Sequence, residues 1–176
     1  MRELAKITAR LKGGEYDGVM IIKTVWKREP ESVENSFEPE IIKENKRMLV
    51  CRAFYNNESL TTTMLLHPAD GAVVPQVSEM DTEEGDNNRA AFNREDVLEF
   101  VAEVGDTNPI HQLEVPVVPG MLLLEYIKNH LPDNIKMLEL SFRNAVMAGD
   151  RVEMQTEGGQ VSLTGRKEFV TGKYYE

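Results

Sequence analysis

The chain holds 176 residues, 41% hydrophobic and 28% charged, an ordinary globular composition that excludes a disordered or fibrous protein. Its formal charge of −10 argues against a nucleic-acid or anionic-membrane surface, because both need clustered cations. The one cysteine, Cys51, excludes an internal disulfide and a cysteine-built zinc site. No apolar run approaches the ~18 residues of a membrane span, and the start from Met1 to Lys6 has no signal-peptide core. One domain, with an appended segment, is expected of this length, in a soluble, cytoplasmic protein.

Residues 1–78 read as strand-rich. Val19 to Trp26 carries Met20, Ile22 and Trp26 on one side and Val19, Ile21 and Val25 on the other, which predicts a strand covered on both faces. Residues 29–46 are polar, carry Pro30 and Pro39, and read as a connection with at most a short helix. Arg47 to Tyr55 and Leu60 to His67 are predicted to form a hairpin around Asn56-Asn57-Glu58-Ser59. Residues 79–90 are polar and mostly acidic, and read as a solvated linker. A helix follows, capped by Asn93 and closed by Gly105, with Val97, Phe100, Val101 and Val104 on one face. The loop from Asp106 to Glu114 leads through Pro119-Gly120 into a second helix over 120–131, stopped by Pro132. It is apolar over most of its circumference, so it is expected to be the buried, central helix. The tail is predicted as strands over 136–145, 151–157 and 160–175, the last breaking near Arg166-Lys167. This order implies an α+β protein in which one antiparallel sheet wraps a central helix.

Three places carry candidate chemistry. His67 and His130 are explained by their positions at element ends, but His111 lies five residues after Asp106 across Asn108-Pro109. Asx-Pro segments turn tightly, so the acid and the imidazole can be brought to one water; the same residues can equally serve as turn caps. Gly120 begins a helix, where backbone N–H groups lack internal partners and favour developing negative charge. It can form an oxyanion site or simply the turn into the helix. Glu125, on the arc with Lys128 and Asn129, is either a solvated carboxylate or a general acid or base facing a cleft.

Phe100 to His111 reads Phe-Val-Ala-Glu-Val-Gly-Asp-Thr-Asn-Pro-Ile-His. This resembles the Gly-Asp-x-Asn-Pro-[Leu/Ile/Val]-His signature of MaoC-like, (R)-specific enoyl-CoA hydratases at every fixed position. The run from His111 through Pro116, Pro119 and Gly120 to Glu125 has the spacing of 3-hydroxyacyl-ACP dehydratases. Both belong to the hot-dog superfamily, in which an antiparallel sheet wraps one helix. The resemblance covers about residues 91–176; residues 1–78 would add strands to that sheet or form a degenerate half of a double hot-dog. It departs from the hydratase pattern at Leu113 and in a shorter span from His111 to Pro119.

The resemblance implies reversible hydration of trans-2-enoyl thioesters, or dehydration of (R)-3-hydroxyacyl thioesters, on CoA or acyl-carrier protein. Asp106 and His111 would hold and activate water, and the Gly120 N–H would polarise the thioester carbonyl. Asn108 would shape the loop, and Pro119 and Met121 beside Gly120 would meet substrate. The dehydratase resemblance implies instead a pair of His111 and Glu125 from a facing subunit. No metal or cofactor is implied, a homodimer is, and Lys128, Arg166, Lys167 and Lys173 are local cations available to an anionic carrier. The alternatives are a non-catalytic acyl-CoA-binding or regulatory module, an acyl thioesterase, or a structural subunit.

Overall fold

A computed structural model describes residues 1–11, 14–31, 33–66 and 89–176. The strands are β1 (Met20–Arg28), β2 (Glu40–Glu44), β3 (Met48–Tyr55), β4 (Glu58–Leu65), β5 (Arg89–Ala91), β6 (Met137–Phe142), β7 (Arg151–Glu157), β8 (Gln160–Thr164) and β9 (Glu168–Tyr175). They form one antiparallel sheet in the order β2-β3-β4-β1-β6-β9-β8-β7-β5. Three helices accompany it among the described residues: α1 (Arg2–Thr8), α2 (Arg94–Val104) and α3 (Gly120–Asn129). The sheet wraps α3, which packs against the central strands β1 and β6. This is the expected α+β hot-dog architecture. No helix among the described residues is long and apolar enough to cross a membrane.

The strands from the N-terminal region and those from the C-terminal region meet at one seam, where β1 pairs with β6 and Trp26 lies opposite Leu138. One apolar core spans the seam. It joins Leu4 and Ile7 of α1, Trp26, the buried face of α2, and Leu123, Leu124 and Ile127 of α3. A smaller cluster of Leu49, Cys51, Met64 and Leu66 lies beside it, and Ile21 packs against both.

Local chemistry explains most element ends. The Asn93 side chain accepts the Asp96 N–H at 2.9 Å while the Asp96 carboxylate accepts the Asn93 N–H at 2.9 Å, a reciprocal cap that starts α2. Gly105 ends α2 at φ 73°, a conformation that costs a side-chain-bearing residue about 1 kcal/mol or more. Val97, Phe100, Val101 and Val104 are buried as their spacing predicts. Helix α3 ends at Asn129, two residues short of the expected stop, with His130 as its cap. The tail strands lie where expected, and the last run does break between Thr164 and Glu168.

Four features differ from the expectation. Helix α1 falls in a region read as strand-rich, with no helix expected there; Leu4, Ala5, Ile7 and Thr8 make its buried face, but seven residues are too few for a periodicity window of about 11–18. Strand β2 falls in the polar connection. It is an edge strand with all five residues exposed, so it has no burial alternation to reveal it. In β1 the register against β4 shifts between Ile21 and Lys23. The shift turns Ile22 outward, while Thr24 and Trp26 are fully buried, so Ile22 and Trp26 do not share a face. In the hairpin the turn is Asn56-Asn57 alone, at φ 46° and 60°; a two-residue turn with both φ positive suits the strand twist, so Glu58 and Ser59 belong to β4. The predicted linker lies outside the described residues except at its end, where residues 89 and 90 open β5.

Candidate active site

The loop after α2 is built by side chains that substitute for missing backbone partners. The Gly105 and Asp106 N–H groups both donate to the Val101 carbonyl, at 3.0 and 3.1 Å, closing the helix. The Asp106 Oδ1 then accepts the Asn108 N–H at 2.9 Å, and the Asn108 Oδ1 accepts the Ile110 N–H at 3.4 Å, at the start of a single 3-10 turn from Pro109 to His111. The same Asn108 Oδ1 accepts the Gly18 N–H at 3.1 Å, and Asn108 Nδ2 donates to the Val19 carbonyl at 2.9 Å. Asn108 is 8% exposed. Its amide is spent on fastening this loop to the segment that precedes β1.

The turn delivers His111 into the interior, 6% exposed. Its Nδ1 lies 2.7 Å from the Val117 carbonyl oxygen. A carbonyl only accepts, so Nδ1 carries the proton and Nε2 presents a lone pair. That lone pair faces Asp106 Oδ2 at 3.6 Å, too far for a direct hydrogen bond. Burial pushes the His111 pKa below the ordinary histidine value of 6.5, outweighing the Asp106 charge and the Val117 bond, which both raise it. The resting pair is thus a neutral imidazole and a carboxylate whose facing atoms both seek a hydrogen. A water between them satisfies both.

Asp106, Asn108, His111, Pro119, Gly120 and Met121 all line one cavity of about 340 Å³. Gly120 opens α3, and the Pro119 carbonyl already receives the Leu122 and Leu123 N–H groups. The Gly120 and Met121 N–H groups, which precede these in α3, have no acceptor within the helix. Space at Gly120 is tight: a Cβ would sit 3.3 Å from the Ile21 Cβ, so that side chain would have to give by a few tenths of an ångström, and in ordinary contact 3.5 Å from the Phe142 Cε1. The lining also includes buried apolar side chains from all three helices, Ala5 of α1, Phe100 of α2 and Leu123 of α3.

The other sequence candidates lie elsewhere or outside the described residues. Glu125 does not line the cavity; both its carboxylate oxygens face the Arg2 Nε, at 3.1 and 3.2 Å, and Arg2 also pairs with Glu103. His130 Nδ1 bonds the Tyr126 carbonyl at 2.8 Å, an arrangement of the helix end. His67 lies outside the described residues. Of the four local cations, Arg166 and Lys167 line the cavity, whereas Lys128 sits over the Trp26 ring and pairs with Glu58, and Lys173 does not reach the cavity. Sequence reasoning missed Arg143 and the whole N-terminal wall, which includes Thr8, Tyr16, Val19, Ile21 and Met64.

No protein-family model matches this sequence, and no curated protein does. Solved structures do match in fold. HtdX from Mycobacterium tuberculosis aligns over 90% of this chain and 76% of its own, at TM-score 0.60 and 13% identity. A MaoC-like dehydratase from Phytophthora capsici aligns over 95% and 74%, at TM-score 0.56 and 9% identity. An acyl-ACP thioesterase from Bacteroides thetaiotaomicron aligns over 89% and 75%, at TM-score 0.51 and 8% identity. What the chain shares with these proteins at such identities is the hot-dog fold.

Proposed function

We propose that this cavity adds water reversibly to trans-2-enoyl thioesters, and in reverse dehydrates (R)-3-hydroxyacyl thioesters. The observation that carries the reading is the facing of the His111 Nε2 lone pair and Asp106 Oδ2 at 3.6 Å on the wall of a cavity that also holds the Gly120 end of α3.

In this reading both atoms accept hydrogens from one water, which aims its oxygen into the cavity. The oxygen bonds to C3 of the enoyl group as a water proton passes to the dyad. The electron pair of the double bond moves through C2 onto the thioester oxygen, where the Gly120 N–H and the positive end of α3 receive the enolate charge. A dyad proton then goes to C2, restoring the carbonyl and leaving the dyad as it began. Imidazolium formed on the way is flanked by the Asp106 carboxylate and the Val117 carbonyl, so its charge is met on both ring nitrogens. Acid–base groups of this kind contribute about 10²–10⁴-fold each.

The N-terminal region completes the site in the same chain. Ala5, Thr8, Tyr16, Val19, Ile21 and Met64 are among the residues that supply one wall, and the Gly18 and Val19 backbone anchors the Asn108 loop, so we read the N-terminal region as a degenerate half hot-dog and 91–176 as the half that bears the dyad. The site then works within one chain, whether or not two chains pair. The test is hydration of crotonyl-CoA, followed by loss of the enoyl-thioester absorbance and by the stereochemistry of the product. Formation of (R)-3-hydroxybutyryl-CoA supports the reading. Release of free thiol instead makes the protein a thioesterase, and saturable binding without turnover makes it a binding module.

A further inference from the structure

A second cavity adjoins the dyad loop. It is lined by a stripe of α2, where Arg94, Leu98 and Ala102 recur every fourth residue and Gly105 follows at the helix end, and by Gln112. The 3-10 turn from Pro109 to His111 closes with the Gln112 N–H on the Pro109 carbonyl at 3.0 Å. Successive residues of such a turn point about 120° apart. His111 accordingly goes inward and is buried, while Gln112 goes outward and is exposed. Arg94, Ala102, Gly105 and Thr107 are exposed as well, so this cavity is open to solvent.

Among the described residues, only Asp106 and Thr107 line both cavities. Asp106 is thus the member of the dyad that stands on the boundary, and its side chain is 27% accessible against 8% for His111. Its carboxylate is divided in the same sense. Oδ1 is held by the Asn108 N–H at 2.9 Å, and Oδ2 looks across 3.6 Å to the imidazole. A water leaving Oδ2 past Thr107 meets the donors and acceptors of Arg94, Thr107 and Gln112. Resting on the hydratase reading above, we propose that the outer cavity is the water port of the site: water reaches and leaves the dyad past Asp106 and Thr107 while the thioester stays in the larger cavity.

The port has a chemical consequence. In dehydration the C3–O bond breaks, the departing oxygen takes a dyad proton, and the C2 proton passes to the dyad. The water so formed leaves by the port and another enters. Its oxygen bonds to C3 of the same enoyl group as the steps run back. A hydroxyacyl thioester then exchanges its 3-oxygen with solvent without release of the enoyl thioester.

The two exchanges are measured together on (R)-3-hydroxybutyryl-CoA and crotonyl-CoA held at chemical equilibrium, in water enriched in the heavy oxygen isotope and with carbon label in the crotonyl group. Solvent oxygen should enter the 3-hydroxyl faster, by about threefold or more, than crotonyl carbon enters the hydroxyacyl pool. Ala102→Trp places a large side chain in the outer cavity from an exposed position. It should bring the oxygen rate down to the carbon rate and leave the carbon rate unchanged, which also shows that the variant is folded. Glu99→Trp, exposed on α2 and outside that lining, should keep the excess. Equal rates in the wild type overturn the port and leave the hydratase reading standing. So does an excess that survives Ala102→Trp, or one that Glu99→Trp removes equally, or a carbon rate that falls in step with the oxygen rate. Absence of carbon exchange in the wild type ends the hydratase reading and the port with it.

Discussion

The Val117 carbonyl stands 2.7 Å from the Nδ1 of His111 and thereby fixes which ring nitrogen holds the proton. Without that acceptor the imidazole could turn its N–H to Asp106, bind the carboxylate directly and leave no place for water. The dyad thus depends on a backbone atom six residues away. It follows that Asp106→Asn and His111→Ala should each lower kcat/KM toward crotonyl-CoA by about 10²–10⁴-fold. The amide introduced by Asp106→Asn keeps an oxygen for the Asn108 N–H, so thermal unfolding of that variant should lie close to wild type. Retained turnover in both variants would falsify the dyad.

Burial sets the pH response. The folded His111 has a pKa below the 6.5 of a free histidine. Between the two values the unfolded chain binds more protons than the folded one, so stability rises with pH through that window and is complete above it. As pH falls below 6.5 the protein should lose stability until the folded pKa is passed, where the loss levels off. The acid limb of kcat/KM should likewise fall below 6.5, where the resting imidazole gains its proton. Denaturation midpoints and initial rates across pH 5–8 test both. An acid limb at or above 6.5 would show that the rate reports another group.

Asn108 links the dyad loop to the other half of the sheet. Its amide serves the Ile110 N–H within the loop and the Gly18 N–H and Val19 carbonyl across the seam. Asn108→Ala strips three bonds and leaves partly buried backbone groups without those partners, which should cost about 1–3 kcal/mol from denaturant titration. Asn108→Asp restores both accepting bonds but faces the Val19 carbonyl with a carboxylate, so it should recover only part of that loss. Activity should fall in both variants through kcat, since the displaced loop carries Asp106 and His111.

How far the sequence could be read tracks the range of the forces. The loop from Gly105 to His111 folds by side chains bonding backbone two residues away, so its turn is written in consecutive letters. The caps of α2 and the apolar girth of α3 are local in the same sense. The N-terminal wall is different. Val19, Ile21 and Met64 reach the cavity because β1 joins β6, with Lys23 opposite Ser141, and no pattern within β1 specifies that partner. The bulge at Ile21–Lys23 is equally silent, yet it decides that Ile21 faces Gly120 while Ile22 faces out. Arg143 was missed because its place depends on a backbone bond to Phe169, on a strand that pairs only after folding.

Glu125 is the sharpest case of a residue whose role is set from afar. By spacing it belongs to a histidine–glutamate dyad; in the fold Arg2, 123 residues away in sequence, holds both of its oxygens and it lines no part of the cavity. The pair lies partly exposed, with side chains 37% and 16% accessible, so its contribution to stability is about 0–1 kcal/mol. Glu125→Gln should therefore lower the denaturation midpoint slightly and leave kcat/KM within about threefold of wild type, a span of roughly 0.6 kcal/mol in activation free energy. The competing arrangement, in which Glu125 of one chain completes the His111 site of another, makes two different demands. It requires Glu125→Gln to lose about 10²-fold or more, and it requires specific activity to fall on dilution as subunits part. Measuring both on the same preparation decides the matter, because a site built within one chain shows neither effect.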